Sequence, residues 1–533
     1  MKRKILSCML VLTLCAFCLN SCSGTEKKEG EGQAPSQQPT VTPGEVANTD
    51  TLIFPDTDYT EVTETIEIGD GTKQVTYRYY KDICYVANPV DTKYQSMNVK
   101  VPIRIDGKDI NADKAPILFI NSVGGYLSAS NSVNDENKNN FTQDIMSKED
   151  NKGTVQNTTD GTNQKRANAD ELNVNGNYAL ATGYVVVEPG CRGRDNVDEQ
   201  GNYYGKAPAA IVDLKAAVRY IRHNDARMPG DANYIISSGV SAGGALSALL
   251  AASGDSELYD AYLDEIGAAD ESDKIYAAAC YCPITDLEHA DMAYEWMFGS
   301  VDYNGKAVDS KISGTLSDAF SEYQTSLNYT GRNNFGAITA DNYDVYILDT
   351  YLIPAATTYL SDMTKEERDA YLAERPWITW KDGKAKFTFE DYVTYIGRQK
   401  NAPAFDSFDL SSGENSLFGD KTTDAKHFTD VGIQNSTADK GNSEIDEELQ
   451  TIVNMMNPMY FINENNAGCA KYWWIRYGTK DTNTSLPIIV NLDLGLNKIG
   501  KTVDTTMYWD AGHGANQDPA AFIRWIGDIT GYK

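Results

Sequence analysis

The apolar positions of this chain follow two rhythms that alternate. Short runs without polar alternation lie at residues 117–120, 184–187, 234–240, 275–284 and 472–477, and such runs predict strands covered on both faces. Between them the spacing changes to three and four: Ile211, Leu214, Val218 and Ile221 follow Pro208 and mark one face of a helix. Near the end, a helix from Leu486 and a strand over 503–509 precede a final helix. Asp518 is its expected N-cap, Pro519 stands in its first turn, and Phe522, Ile526 and Ile529 share a face. Strands alternating with helices at this rhythm predict a mostly parallel sheet wound by right-handed crossovers. Ahead of it, strand-like patterns at 74–80, 83–87 and 97–105 predict an antiparallel hairpin region. Residues 131–177 are rich in Asn, Asp and Thr and read as a long surface insertion. From 286 to 466 the rhythm stops and the chain becomes aromatic-rich and irregular. The expectation is one α/β domain built from 51–285 and 467–533, with 286–466 inserted as a lid over the strand C-termini.

Composition adds a compartment and removes some partners. The 533 residues are 41% hydrophobic and 10% aromatic, enough for a large core, and carry a formal net charge of −29. That charge argues against nucleic acid and against an anionic membrane surface, both of which need basic patches. Lys2, Arg3 and Lys4 precede an apolar run from Ile5 to Leu19 with the features of a secretory signal, too short to span a bilayer. It ends in Leu19-Asn20-Ser21-Cys22, which resembles the bacterial lipobox. The expectation is a signal over 1–22, lipid on Cys22 as the only membrane attachment, and an extracytoplasmic location, with full secretion as the alternative. Residues 23–50, mostly Gly, Glu, Lys, Gln, Pro and Thr, read as a flexible tether. Of nine cysteines, Cys84, Cys191, Cys280, Cys282 and Cys469 lie beyond this region. Their odd number and irregular spacing predict neither a disulfide framework nor a zinc site, and Cys280 and Cys282 are expected on one face of a strand as buried small hydrophobes.

The candidate chemistry sits where the 234–240 strand meets an Ala- and Leu-rich helix. Gly239-Val240-Ser241-Ala242-Gly243 is a Gly-x-Ser-x-Gly turn in a strand-to-helix context, which makes Ser241 the expected nucleophile. The abrupt turn strains the middle residue, requires small neighbours, and aims the helix N-terminus at any oxyanion formed there. A serine needs a base, and the base an orienting carboxylate. Among four histidines, His223, His289, His427 and His513, only His513 lies in a glycine-flanked loop between the last strand and the last helix, where an α/β-hydrolase places its base. Asp481, after the penultimate strand, is the favoured acid, and Asp286 is the alternative. The oxyanion donors are expected from the Ala242 amide and from the loop carrying Gly124 and Gly125. No metal or cofactor is called for, because no zinc or P-loop motif is present.

A series of segments then narrows the reading: Asn121-Ser122-Val123-Gly124-Gly125-Tyr126, Gly239-Val240-Ser241-Ala242-Gly243-Gly244, Pro283-Ile284-Thr285-Asp286-Leu287-Glu288-His289-Ala290, Ala402-Pro403-Ala404-Phe405-Asp406, Asp409-Leu410-Ser411-Ser412-Gly413-Glu414-Asn415, and Gly478-Thr479-Lys480-Asp481-Thr482-Asn483-Thr484-Ser485. With these in this order the chain resembles the bacterial tannase and feruloyl-esterase-like α/β-hydrolases, the former cleaving galloyl esters. The resemblance implies that Lys400 and Glu414, from the lid, bind phenolic hydroxyls of the acyl ring, and that Ile284 packs on its face. Two positions depart from the family. Asn483 replaces a second acid beyond Asp481, and Gly413 stands where a proline helps sandwich the ring, which leaves gallate, dihydroxybenzoate or hydroxycinnamate as the acyl group. The expected partner is a small aromatic ester. The rival readings are a feruloyl or general carbohydrate esterase, a serine peptidase on the same fold, and a catalytically inactive surface binding protein.

Overall fold

The runs without polar alternation form the parallel half of one sheet. The computed structural model describes residues 49–69, 71–130 and 174–532. Ten strands make up the sheet: β1 Thr60–Ile68, β2 Gly71–Cys84, β3 Ser96–Ile105, β4 Lys108–Asp109, β5 Ile117–Asn121, β6 Val185–Pro189, β7 Ile235–Val240, β8 Ala277–Tyr281, β9 Tyr472–Gly478 and β10 Thr502–Tyr508. Their order is β1-β2-β3-β6-β5-β7-β8-β9-β10, with β4 paired to β3. From β6 onward every neighbouring pair is parallel, and β5, β7, β8 and β9 are almost wholly buried because helices cover both faces. This is the α/β-hydrolase architecture: a mostly parallel sheet with flanking helices. The helices used below are α1 over residues 174–182, α2 Ala209–His223, α3 Ala242–Ala252, α4 Leu287–Phe298, α5 Gly413–Leu417, α6 Leu486–Lys498 and α7 Pro519–Thr530. No helix among the described residues is long and apolar enough to cross a membrane.

Several expectations need correction. The two strands expected at 74–80 and 83–87 are one strand, β2, bent by a register shift between Tyr80 and Ile83 where Asp82 adopts φ +51°. Its partner β1, an alternating Thr/Glu segment, went unpredicted. The insertion expected over 131–177 ends earlier than its polarity suggests. Its 131–173 part lies outside the described residues, but α1 begins at 174 and buries Asn175, which donates to Tyr281 Oη at 3.1 Å and accepts from Asn516 Nδ2 at 2.9 Å. Asp518 precedes α7 but makes no side-chain cap bond; its carboxylate instead faces Arg476 Nε at 3.2 Å and the Tyr508 hydroxyl. The reason is electrostatic. Arg476 is buried within β9 and paired also with Asp504 Oδ1 at 3.0 Å, and the charge-assisted bond that Asp518 adds to this network outweighs a missing cap. Cys282 lies one residue past the end of β8, with φ +45°, yet it is fully buried in the same hydrophobic core as Cys280, as expected of buried small hydrophobes on one side of the sheet. The signal expected over 1–22, its Cys22 and the tether expected over 23–50 lie outside the described residues, save Thr49 and Asp50, which open a 3-10 turn over Thr49–Leu52.

The 286–466 block contains short helices and two two-stranded sheets, and it joins the same hydrophobic core as the strands. It reaches the C-terminal ends of β9 and β10 at specific points. Tyr392 Oη donates to Thr479 O at 2.7 Å, and Tyr395 Oη donates to Asp510 Oδ1 at 2.9 Å. Those two loops carry Asp481 and His513.

Candidate active site

The turn between β7 and α3 stores the strain that its sequence predicts. Ser241 sits at φ +59°, ψ −123°, a region that costs an L-residue on the order of 1–3 kcal/mol unless neighbours enforce it. They do: Ser241 N donates to Tyr281 O at 3.0 Å, and Ser241 O accepts from Ile284 N at 3.3 Å. The flanking glycines are required by close backbone. A Cβ on Gly239 would lie 2.3 Å from Gly243 O, and one on Gly243 would lie 2.9 Å from both Asn121 O and Val123 O. Asn121, which sequence reasoning gave no separate role, locks the next loop to this turn. Its Nδ2 donates to Gly243 O at 3.0 Å, while its Oδ1 accepts from Val123 N at 3.2 Å. We expect Gly243→Ala to destabilise the fold by about 1–3 kcal/mol, as overpacking against fixed backbone does. Chemical unfolding measures this, and an unchanged midpoint would contradict it. Ala242 N opens α3, and the amides of Gly124 and Gly125 make no hydrogen bond among the described residues. These are the expected oxyanion donors.

Asp481 and His513 meet. His513 Nδ1 and Asp481 Oδ2 are 2.8 Å apart, Asp481 is fully buried, and its Oδ1 accepts from Asn483 N at 2.9 Å. A carboxylate with these donors holds Nδ1 protonated and leaves Nε2 as the acceptor. The two loops are fitted closely: a Cβ on Gly478 would fall 2.2 Å from Gly512 O, and Lys480 N donates to Ala511 O at 2.8 Å. Gly514 N donates to Cys282 Sγ at 3.2 Å, one residue beyond the Tyr281 carbonyl that holds Ser241. The imidazole loop thus abuts the nucleophile turn. No hydrogen bond joins Ser241 Oγ to His513, a looseness common before substrate binds. Asp286 is committed elsewhere. It accepts from His289 Nδ1 at 2.7 Å and from Asn457 Nδ2 at 2.8 Å, while the His289 ring stacks on Tyr323 with centroids 3.7 Å apart. Cys282 is fully buried beside this pair; burial first, then the Asp481 charge, pushes its thiol well above its ordinary pKa.

The four remaining candidates lie on the loops either side. Lys400 is half-buried, its Nζ 3.7 Å above the centre of the Phe405 ring. Its loop is fixed by Tyr294 on α4, whose hydroxyl accepts from Gln399 N at 3.1 Å and Lys400 N at 3.2 Å and donates to Thr482 O at 2.9 Å. That hydroxyl therefore links the Lys400 backbone to Thr482, the residue between Asp481 and Asn483. Burial, then the Gln399 and Lys400 amides acting the other way, leave the Tyr294 pKa pushed up to about 12, so the phenol stays a donor. Glu414, on α5, lies near Tyr126 of the oxyanion loop: after burial, its charge is the other cause raising the Tyr126 phenol. Tyr126 Oη donates to Ile284 O at 2.7 Å, which ties Ile284 to the same rim. Arg194 fills the space left by Gly413. Its Nε donates to Gly125 O at 2.7 Å, and its Nη2 lies 2.9 Å from where a Cβ on Gly413 would stand. The contacts of Tyr294, Arg194 and Cys282 carry no local sequence signal, because each meets partners far away along the chain. A separate cleft of about 560 Å³, lined by Ile68, Tyr178, Tyr184, Ile523 and Tyr532, lies between α1 and α7 and holds none of these groups.

Solved structures resemble the whole arrangement. The tannase of Fusobacterium nucleatum is 37% identical, matches 90% of this chain and 99% of its own, and superposes with a TM-score of 0.71. The chain belongs to the bacterial tannase family. It is a carboxylic ester hydrolase. The tannin acyl hydrolase of Lactobacillus plantarum is 32% identical with a TM-score of 0.73, and a tannin acyl hydrolase in complex with ethyl gallate is 33% identical with a TM-score of 0.74; both match 90% of this chain and 99% of their own. The BD-FAE family model matches residues 161–328, the part that carries Ser241. A comparison with curated proteins gives no match.

Proposed function

We propose that Ser241, His513 and Asp481 form a catalytic triad that hydrolyses galloyl or related hydroxybenzoyl esters. The observation that carries this reading is the buried Asp481–His513 pair at 2.8 Å, on a loop that abuts the strained Ser241 turn. His513 Nε2 takes the hydroxyl proton as Ser241 Oγ attacks the acyl carbon, and the negative oxygen develops against Ala242 N and the Gly124–Gly125 loop. The imidazolium then protonates the departing alcohol and leaves an acyl-enzyme. Water, activated by the same nitrogen, releases the acid. Asp481 holds the tautomer and stabilises the imidazolium.

The acyl ring enters between Lys400 and Glu414. An ammonium and a carboxylate flanking a cleft suit a catechol or pyrogallol edge, whose hydroxyls both donate and accept. Relatives solved in complex with ethyl gallate and with 3,4-dihydroxybenzoate support this choice. Asn483 presents an amide where the family has a second acid, so a third ring hydroxyl gains less there and trihydroxy rings are favoured over dihydroxy ones less sharply than an acid would favour them. The BD-FAE match favours a feruloyl esterase as the second reading. Hydrolysis rates on methyl gallate, methyl protocatechuate and methyl ferulate distinguish the two, and inactivity on all three would contradict both. Lys400→Ala and Glu414→Ala should each lower kcat/KM for methyl gallate about 10- to 100-fold, the worth of one charge-assisted hydrogen bond, with little change on methyl benzoate. Equal losses on both esters would remove Lys400 and Glu414 from ring recognition.

A further inference from the structure

Cys282, Asp481 and His513 present one sulfur, one carboxylate oxygen and one imidazole nitrogen, all within 4.8 Å of one another. We propose that these three side chains form an inhibitory site for a thiophilic divalent cation such as Zn2+, overlapping the base of the triad. This rests on the triad reading above. The ligand set is one that zinc takes, at about 2.3 Å to sulfur and about 2.0–2.2 Å to nitrogen and oxygen. Those lengths need donor atoms closer together than 4.8 Å, and the Asp481–His513 pair already stands at 2.8 Å, so closure is a shift of side chains rather than of backbone.

Charge favours occupancy. Asp481 and Cys282 are both fully buried, and the carboxylate together with the thiolate left when the cation displaces the thiol proton neutralise a divalent cation. The second sphere is built: Gly514 N donates to Cys282 Sγ at 3.2 Å, and Asn483 N donates to Asp481 Oδ1 at 2.9 Å. His513 is the partly exposed member, its side chain 18% accessible, which gives the cation an approach from the cleft. The backbone spends a left-handed conformation, φ +45°, on holding Cys282 at this spot.

The exchange balances as follows. The cation displaces the thiol proton to solvent and takes the Nδ1 position now bonded to Asp481, so the imidazole keeps its single proton on Nε2. That tautomer has no lone pair facing Ser241, and the base is lost without any change in the nucleophile.

Cobalt(II) titrated into the purified full chain tests the site without reference to turnover. We expect a sulfur-to-cobalt charge-transfer band that saturates at one equivalent. It should persist in Ser241→Ala and disappear in Cys282→Ala. In parallel, Zn2+ should inhibit ester hydrolysis reversibly by chelator, with the inhibitory concentration raised about 10- to 100-fold in Cys282→Ala or Cys282→Ser, each read against its own metal-free rate. Absence of the band in the unmutated chain, or zinc sensitivity in both cysteine variants equal to that of the unmutated chain, overturns the proposal. Hydrolysis surviving in Ser241→Ala would instead overturn the triad.

Discussion

Ser241→Ala should lower kcat on methyl gallate by roughly 10⁶-fold, the loss seen when a serine hydrolase keeps its oxyanion donors but loses its nucleophile. The fold has no reason to suffer. Ser241 is held by backbone bonds from its own N and to its own O, which alanine retains, and its hydroxyl makes no hydrogen bond that removal would orphan. Stability measured by thermal unfolding should therefore stay within about 0.5 kcal/mol of the parent, or rise as strain and polarity change. A fluorophosphonate probe should label the parent and leave the variant unmarked. Residual turnover above about one part in a hundred would mean that another group attacks the ester.

Asp481→Asn and Asp286→Asn should part company, which makes the pair the sharpest test of the acid. An amide at 481 can turn its NH2 toward His513 Nδ1, and the ring then carries its proton on the nitrogen that must accept from Ser241. The expected cost is roughly 10⁴-fold in kcat. At 286 the same change weakens a structural knot. Asp286 binds His289 and Asn457 in the interior and leaves the triad untouched, so the loss should appear as about 3–5 kcal/mol of stability with a far smaller fall in rate. Its pH dependence has a definite sign. Burial alone would lower the His289 pKa, but the Asp286 charge and hydrogen bond outweigh it and raise it. The pair's contribution is therefore complete below the ordinary histidine pKa of about 6.5 and fades as pH climbs through the raised value. Denaturation midpoints of parent and Asp286→Asn should accordingly converge above that window. If Asp286→Asn instead abolished turnover while Asp481→Asn retained it, the assignment of the acid would be reversed.

The elements that sequence pattern located best are those whose neighbours lie close along the chain. The strand 117–120, the Gly-x-Ser-x-Gly turn and the helix from Leu486 each declare themselves through local periodicity, and Asp481 and His513, which the structure pairs, were legible because their loops follow particular strands of a wound sheet. What was hidden depends on contacts made across the fold. Asp518 looks like a cap until buried Arg476 claims its carboxylate. Cys282 looks like a strand residue until the chain turns left-handed after Tyr281. The helix over 174–182 begins amid Asn-rich sequence, and its meaning lies in what Asn175 touches: a tyrosine of β8 and a residue near the C-terminus. Arg194 carries no motif of its own; Gly413, more than two hundred positions later, is what makes room for it.

The single phenol of Tyr294 grips both the Lys400 segment and the Thr482 carbonyl. On the proposed reading, selectivity for the ring and the alignment of the proton relay are therefore mechanically wedded. A graft that replaced residues 398–414 with those of a relative, hoping to change the preferred acid alone, would also tug on the strand end that steadies Asp481. Such chimeras should show altered taste and slower chemistry together, unless the tyrosine's three attachments travel with the graft.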